Sequence, residues 1–125
     1  MVKAESRKQY SCGLEAALEV VGGKWKVLIL WPLHLGPHRF GELRRKIPGI
    51  SEKMLIQHLK EMEADGIVTR KDYREVPPRV EYSLTSFGVS LCDALAPLCE
   101  WGQAHMERIE ACSAEHEAKR LKAIA

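Results

Sequence analysis

Cys12 stands one residue ahead of a helical pattern in the stretch QYSCGLEAALEVVGGKWKVLIL. A thiol at the mouth of a helix faces unpaired backbone N–H groups and the positive end of the helix dipole. Both favour the thiolate, which is the nucleophile in oxidation and alkylation. Arg7 and Lys8 precede it and add positive charge. The other cysteines, Cys92, Cys99 and Cys112, form no CxxC and no zinc-type pair with it, so reduced thiols are expected rather than a disulfide framework. Cys92 and Cys99 sit seven residues apart, about 10.5 Å along a helix axis. Bridged Cα atoms lie within about 7 Å, so these two cannot pair within one helix. Cysteine in a helical protein is commonly a small buried hydrophobe, and Cys92 and Cys99 are read as core or seam residues.

The histidines (His34, His38, His58, His105, His116) make no HExxH pattern, and Cys112 and His116 give only a weak i, i+4 pair. There is no Gly-rich phosphate loop and no GxSxG. No metal, cofactor or enzymatic activity is expected.

A second kind of chemistry lies in the middle of the chain. In EKMLIQHLKEMEA, Leu55, Leu59 and Met62 recur at i, i+4 and i+7, one apolar face. Lys53, Gln57 and Lys60 then point away from it, with Ile56 at the edge of the exposed face. Glutamine can read adenine through two hydrogen bonds, isoleucine can meet a thymine methyl, and lysines suit phosphates. Downstream, Arg70, Lys71, Arg74 and Arg79 surround a β-hairpin and could hold the DNA backbone or enter the minor groove.

The elements that must carry these residues follow from apolar spacing and turn residues. Leu14, Ala17, Leu18 and Val21 make one stripe over Gly13–Val21, ended by Gly22-Gly23. Lys24–Leu35 is apolar nearly all round, which predicts a central helix buried on most sides, with Pro32 kinking or shortening it. A short helix covers about Arg39 to Ile47, with Phe40, Leu43 and Ile47 inward and Arg39, Arg44, Arg45 and Lys46 outward. Pro48-Gly49 is a turn, and Ser51 stands where an N-cap belongs before a helix over Glu52–Ala64. Val80, Tyr82 and Leu84 alternate with polar residues as in a strand, Ile67–Tyr73 is its partner, and Pro77-Pro78 keeps the ribbon at an edge. Thr85 or Ser86 caps a last helix running to about Ala111, with Leu91, Leu95, Leu98, His105 and Ile109 near a heptad seam. This is a mainly α chain with a small β-hairpin, laid out as a winged helix-turn-helix. Residues 1–11 read as a loose basic arm with Lys3, 12–111 as the domain with its C-terminal helix from about 86, and 112–125 as a polar tail.

The 125 residues suffice for one domain with a core, and 46% apolar with 29% charged residues is ordinary for a globular protein. Between Lys24 and Tyr82 there are 12 Lys/Arg against 8 Asp/Glu, a balance of +4. From Ser83 to Cys112 one Arg stands against four acidic residues, a balance of −3. That suits a basic nucleic-acid face beside a non-binding helix. No apolar run approaches a membrane span, and MVKAESRKQYS lacks the apolar core of a secretory signal, so a cytoplasmic protein is expected.

The string GGKWKVLIL…LGPHRFGELRRKIPGISEKMLIQHLKEMEADGIVTRKDYREVPPRVEYSLTSFG closely resembles the HxlR family of bacterial and archaeal transcription regulators. GGKW, RFGEL, IPGIS, VPPRVEYSLT and the later WG recur in order and at family spacing, over about Cys12 to His105. The resemblance implies a winged-helix homodimer on a palindromic operator in double-stranded DNA, dimerising through the first helix and the C-terminal helix. It makes 51–63 the recognition helix and 69–80 the wing. The set expected at DNA is Arg39, Ser51, Lys53, Ile56, Gln57, Lys60, Arg70, Lys71, Arg74 and Arg79. Several members of the family sense electrophiles or oxidants through a cysteine at the position of Cys12. Here Gly13 replaces the proline that usually follows it. A bridge from Cys12 to Cys92, Cys99 or Cys112 of the other subunit stays geometrically open. Two alternatives remain: a small-molecule effector in a pocket near the first, second and last helices with Cys12 idle, or a winged helix that binds a protein through its ribbon and last helix.

Overall fold

Glycine pairs, turns and caps cut the chain where the spacing predicts. In a computed structural model, which describes residues 8–124, the elements run α1 (Gly13–Val21), α2 (Lys24–Leu35), α3 (Phe40–Lys46), α4 (Glu52–Ala64), β1 (Val68–Asp72), β2 (Val80–Leu84), α5 (Ser86–Ala104) and α6 (Met106–Ile124). Lys3 and Arg7 of the expected basic arm lie outside the described residues. The chain divides into two compact units, one ending at Val89 and one starting at Ser90.

The first unit is built round α2. Ile29, Leu30 and Leu33 are buried on it, together with Leu43 and Ile47 from α3 and its end, Leu55, Leu59 and Met62 from α4, and Ile67 and Val68 at the start of the ribbon. The helix continues one turn beyond Pro32 without a break. It is not buried on most sides, however. Leu28 and Leu35 are exposed and Trp31 is half-buried, a solvent-facing stripe at i, i+3 and i+7. With Ile47 and Pro48 these residues line a groove of about 470 Å³. Helix α1 buries none of its residues: Leu14 is 70% and Leu18 61% exposed, so its apolar stripe faces away from the rest of its unit.

The turn between α3 and α4 closes through Ile50 N–H donating to Ile47 O at 3.3 Å, and Gly49 takes φ 87 there, where a Cβ is disfavoured. Ser51 caps α4 as expected, its Oγ accepting from Met54 N–H at 3.1 Å. The strands pair antiparallel with Arg70 opposite Tyr82 and Asp72 opposite Val80. His38, just before α3, exchanges both backbone hydrogen bonds with Tyr82, at 3.0 and 2.8 Å, and ties the ribbon to the helix-turn-helix. Thr85 accepts from Gly88 N–H at 3.0 Å and so caps α5.

In the second unit the C-terminal segment departs from the expected single helix. Helix α5 ends at Ala104 and α6 runs from Met106 through the stretch expected as a polar tail. The break falls at His105, whose N–H still donates to Trp101 O and Gly102 O and whose carbonyl accepts from Ile109 N–H at 2.9 Å. The tail is polar but rich in Ala, Glu, Lys and Arg and free of Gly and Pro, so its own propensity supports a helix. Among the described residues no helix is long and apolar enough to cross a membrane.

Candidate nucleic-acid interface

Each α-helical residue turns about 100°, so Lys53, Ile56, Gln57 and Lys60 fall within about 100° of arc on α4. All four are exposed, Ile56 by 40%. An isoleucine that far out of the core is costly without a partner. Beside this face the side chains of Ile56, Lys60, Glu63, Arg70 and Tyr82 line a groove of about 420 Å³ between α4 and the ribbon. The structure thus brings Lys60 of the helix and Arg70, the first wing cation, to one groove. Among the described residues, Lys53, Lys60, Arg70 and Arg74 make no ion pair with an acidic side chain. Arg74 sits at the wing tip with φ 53, its N–H donating to Asp72 Oδ1 at 2.9 Å.

Lys71 and Arg79 are placed differently from the other wing cations. Both lie over the ring of Tyr73, at 4.6 and 3.5 Å from its centroid. Arg79 also pairs with Glu75 at 3.2 Å and Glu81 at 3.7 Å. Tyr73 Oη donates to Glu81 Oε1 at 2.8 Å, which with burial raises the phenol above its usual range. Arg79 therefore braces the wing, and its guanidinium is committed within the protein. Arg39 is exposed at the start of α3, where its N–H donates to Glu42 Oε1 at 2.7 Å. That bond, helped by His38, Arg39 and Arg45, holds the Glu42 carboxyl below its ordinary value of 4.5.

A carboxyl whose folded value is depressed stabilises the fold above its unfolded value and loses that contribution as pH falls through the folded value. The melting temperature of wild type should therefore exceed that of Glu42→Gln at neutral pH. The gap should close as pH drops below the ordinary value of 4.5, and thermal melts across that range check it. A gap that persists or widens in acid would contradict the assignment.

Two polar residues that periodicity could not flag are buried in this unit, Lys26 and His38. Lys26 on α2 reaches Glu61 on α4 at 2.8 Å. His38 Nδ1 lies 2.7 Å from Gly36 O and its Nε2 2.8 Å from Lys46 Nζ. A carbonyl can only accept and an ammonium can only donate, so the ring carries its proton on Nδ1.

The thiols divide clearly. Cys12 is exposed at the N-cap of α1 with extended φ −157 and ψ 167, its side chain making no capping bond. The first turn is closed instead by Glu15, which accepts from Ser11 N–H at 2.7 Å and Ser11 Oγ at 3.1 Å. Lys8, expected to lend charge to the thiol, is paired with Glu19 at 3.0 Å. Cys92 is 1% exposed, and burial, with Asp93 beside it, pushes its thiol up, which makes it a poor partner for exchange. Cys99 and Cys112 are exposed. Among the described residues no three His, Cys, Asp or Glu side chains gather to hold a metal.

The profile of the HxlR-like helix-turn-helix family matches residues 20–110. An uncharacterised HTH-type transcriptional regulator of Bacillus subtilis, YkvN, is 53% identical over 110 residues, 88% of this chain and 92% of its own. The redox regulator HypR in its reduced form superposes with a TM-score of 0.76 at 44% identity, covering 80% of this chain and 99% of that one. Diamide-treated YodB of B. subtilis superposes with a TM-score of 0.66 at 37% identity, covering 77% and 96%.

Proposed function

This chain belongs to the HxlR-like helix-turn-helix family and is a DNA-binding transcriptional regulator, and on that premise we propose that it works as a homodimer on a palindromic operator, in the cytoplasm, with Cys12 as the residue through which oxidants or electrophiles reach it. The observation that carries the DNA-binding part is the groove between α4 and the ribbon, where Lys60 and Arg70, cations without an acidic ion-pair partner among the described residues, lie beside an exposed Ile56. In this reading Ile56 and Gln57 meet base edges in the major groove, while Lys53, Lys60, Arg70 and Arg74 hold phosphates. Ser51 and Arg39 approach the backbone from the starts of their helices, and Lys71 and Arg79 keep the wing in shape beside it.

The dimer is supported by apolar side chains that their own units leave exposed: Leu14 and Leu18 on α1, and Leu98, Trp101 and Ile109 on α5 and α6. The redox part rests on an exposed thiol at one end of α1 and on likeness to the redox regulator HypR and to diamide-treated YodB. Diamide takes two electrons and two protons from two thiols, leaving a disulfide and the reduced hydrazine. Cys12 and an exposed Cys99 or Cys112 of a second copy are the thiols this reading joins. A bridge between copies would fix the spacing of the two recognition helices.

The test is binding to duplex DNA from upstream of the protein's own gene, with and without diamide, for wild type and Cys12→Ser. Wild type should change affinity by about tenfold or more on oxidation, about 1.4 kcal/mol, while Cys12→Ser stays within about twofold. If both proteins ignore diamide, Cys12 is not the sensor. The groove lined by Leu28, Trp31, Pro32, Leu35 and Ile47 favours a second reading, in which an apolar small molecule is the signal. That reading leaves wild type and Cys12→Ser alike.

A further inference from the structure

Glu61 lies four residues after Gln57 on α4, and its two carboxylate oxygens are divided between two donors. Oε1 takes the Lys26 ammonium at 2.8 Å, and Oε2 takes Gln57 Nε2 at 3.3 Å. The Lys26 side chain is only 10% exposed. It is seated against the left-handed cap of α1, Gly22, where a Cβ would meet Lys26 Nζ at 3.1 Å and Cδ at 3.2 Å. Gly22 itself is fixed, with φ 62 and its N–H donating to Leu18 O at 3.0 Å. A file of contacts thus runs from the end of α1 through a buried cation and a carboxylate to an exposed amide on α4.

We propose that Glu61, pinned by Lys26, is the positioning residue that decides which way round Gln57 presents its amide to DNA. The inference rests on the reading of α4 as the recognition helix. A glutamine amide has two N–H donors and one carbonyl acceptor. A flip would set Oε1 against the Glu61 carboxylate, so one orientation is favoured; with the N–H anti to Oε1 given to Glu61, Oε1 and the syn N–H are left side by side for DNA. That is the acceptor and donor pair complementary to adenine N6–H and N7. A glutamine without this anchor samples several rotamers and both flips, and must lose that freedom on binding.

A carboxylate so near a phosphate-facing surface needs its charge held. Lys26 does this first, with the Gln57 bond and the His58 ring 3.7 Å away adding to it, and together they keep the Glu61 carboxyl below its usual range. It stays an acceptor for Gln57. No other acidic side chain is paired with a cation buried as deeply as Lys26 among the described residues.

The test is selection of sites from a randomised duplex library by full-length wild type, Gln57→Ala, Glu61→Ala and the double variant Lys26→Met/Glu61→Ala. Wild type should enrich a site with a preference for adenine at one position per half-site, and Gln57→Ala should lose it. Glu61→Ala should lose about tenfold of that same preference, while affinity for random duplex is kept or raised because a negative charge has gone. A merely structural role would lower both together. Glu61→Ala added to Gln57→Ala should cost no further preference. The double variant removes the buried cation's partner and the cation together, leaves no unpaired buried charge, and should show the same loss if the single variant fails to fold. A wild-type site whose base preference survives Glu61→Ala overturns this inference alone. Failure of wild type to enrich any site overturns the DNA-binding reading and this inference with it.

Discussion

Gly88→Ala should lower the melting temperature by on the order of 10 °C, the equivalent of about 3 kcal/mol for a domain of this size. Gly88 lies in the first turn of α5, and a Cβ there would sit 2.2 Å from Ile67 O, 3.2 Å from Ile67 C and 3.1 Å from Leu84 Cδ2. The obstacle is backbone and cannot rotate away. Ile67 O also accepts from Thr85 N–H at 3.0 Å and from Thr85 Oγ at 3.1 Å, so moving it breaks the joint between the ribbon and the α5 cap. Helix propensity argues the other way, since alanine in a helix is favoured over glycine by about 1 kcal/mol. The steric term wins because 2.2 Å is well inside any van der Waals contact. Gly41→Ala is the comparison: its nearest neighbour would be Arg45 Nη1 at 3.6 Å, an ordinary contact. That variant should be unchanged or slightly more stable in the same thermal or urea melts. If Gly88→Ala melts with wild type, the close approach of α5 to Ile67 is wrong.

The second large effect is expected at the DNA surface. Replacing Lys53, Lys60 and Arg70 together with glutamine should weaken duplex binding by about a hundredfold or more at low salt. In a dimer the three substitutions remove six cations. If each neutralises one phosphate, the slope of log affinity against log salt should become shallower by about 5. Stability should hardly change, because these side chains are exposed and make no ion pair with an acidic residue among the described residues. The charge-matched comparison is the triple glutamine change at Lys119, Arg120 and Lys122 on α6, which should leave the slope alone. Equal losses from both sets would mean that net charge, and not the face of α4 and β1, drives binding.

Much of the fold was legible in the sequence because each element carried its own signal. Gly22-Gly23 and Gly36-Pro37 bracket α2, Ser51 and Asp65-Gly66 bracket α4, and period-two alternation marks β2, so these elements fall where spacing puts them. The exposed face of α4 followed from the same three apolar positions. What escaped has no local signature. Lys26 reads as one more helix lysine until Glu61, on another helix, is known to lie 2.8 Å away. His38 pairs with Tyr82 as a single residue, too short for any alternation. Arg79 looks like a wing-tip cation until Tyr73 is seen beneath it. The outer stripe of α2 was misread because an apolar residue carries no mark of whether its partner lies in the same chain. Helix α6 was missed because its signal is propensity, with Glu115 and Lys119 at i, i+4 on a polar surface, whereas apolar periodicity was the guide.

The measurement that tests the DNA-binding regulator most directly is equilibrium binding of wild-type protein to a selected duplex across a salt series. Phosphate contacts from Lys53, Lys60, Arg70 and Arg74 in both subunits of the proposed homodimer should give a slope of about −7 and affinity that falls steeply with salt. No affinity for duplex, or affinity that ignores salt, would contradict it and turn the ribbon and α4 into a surface for a protein partner.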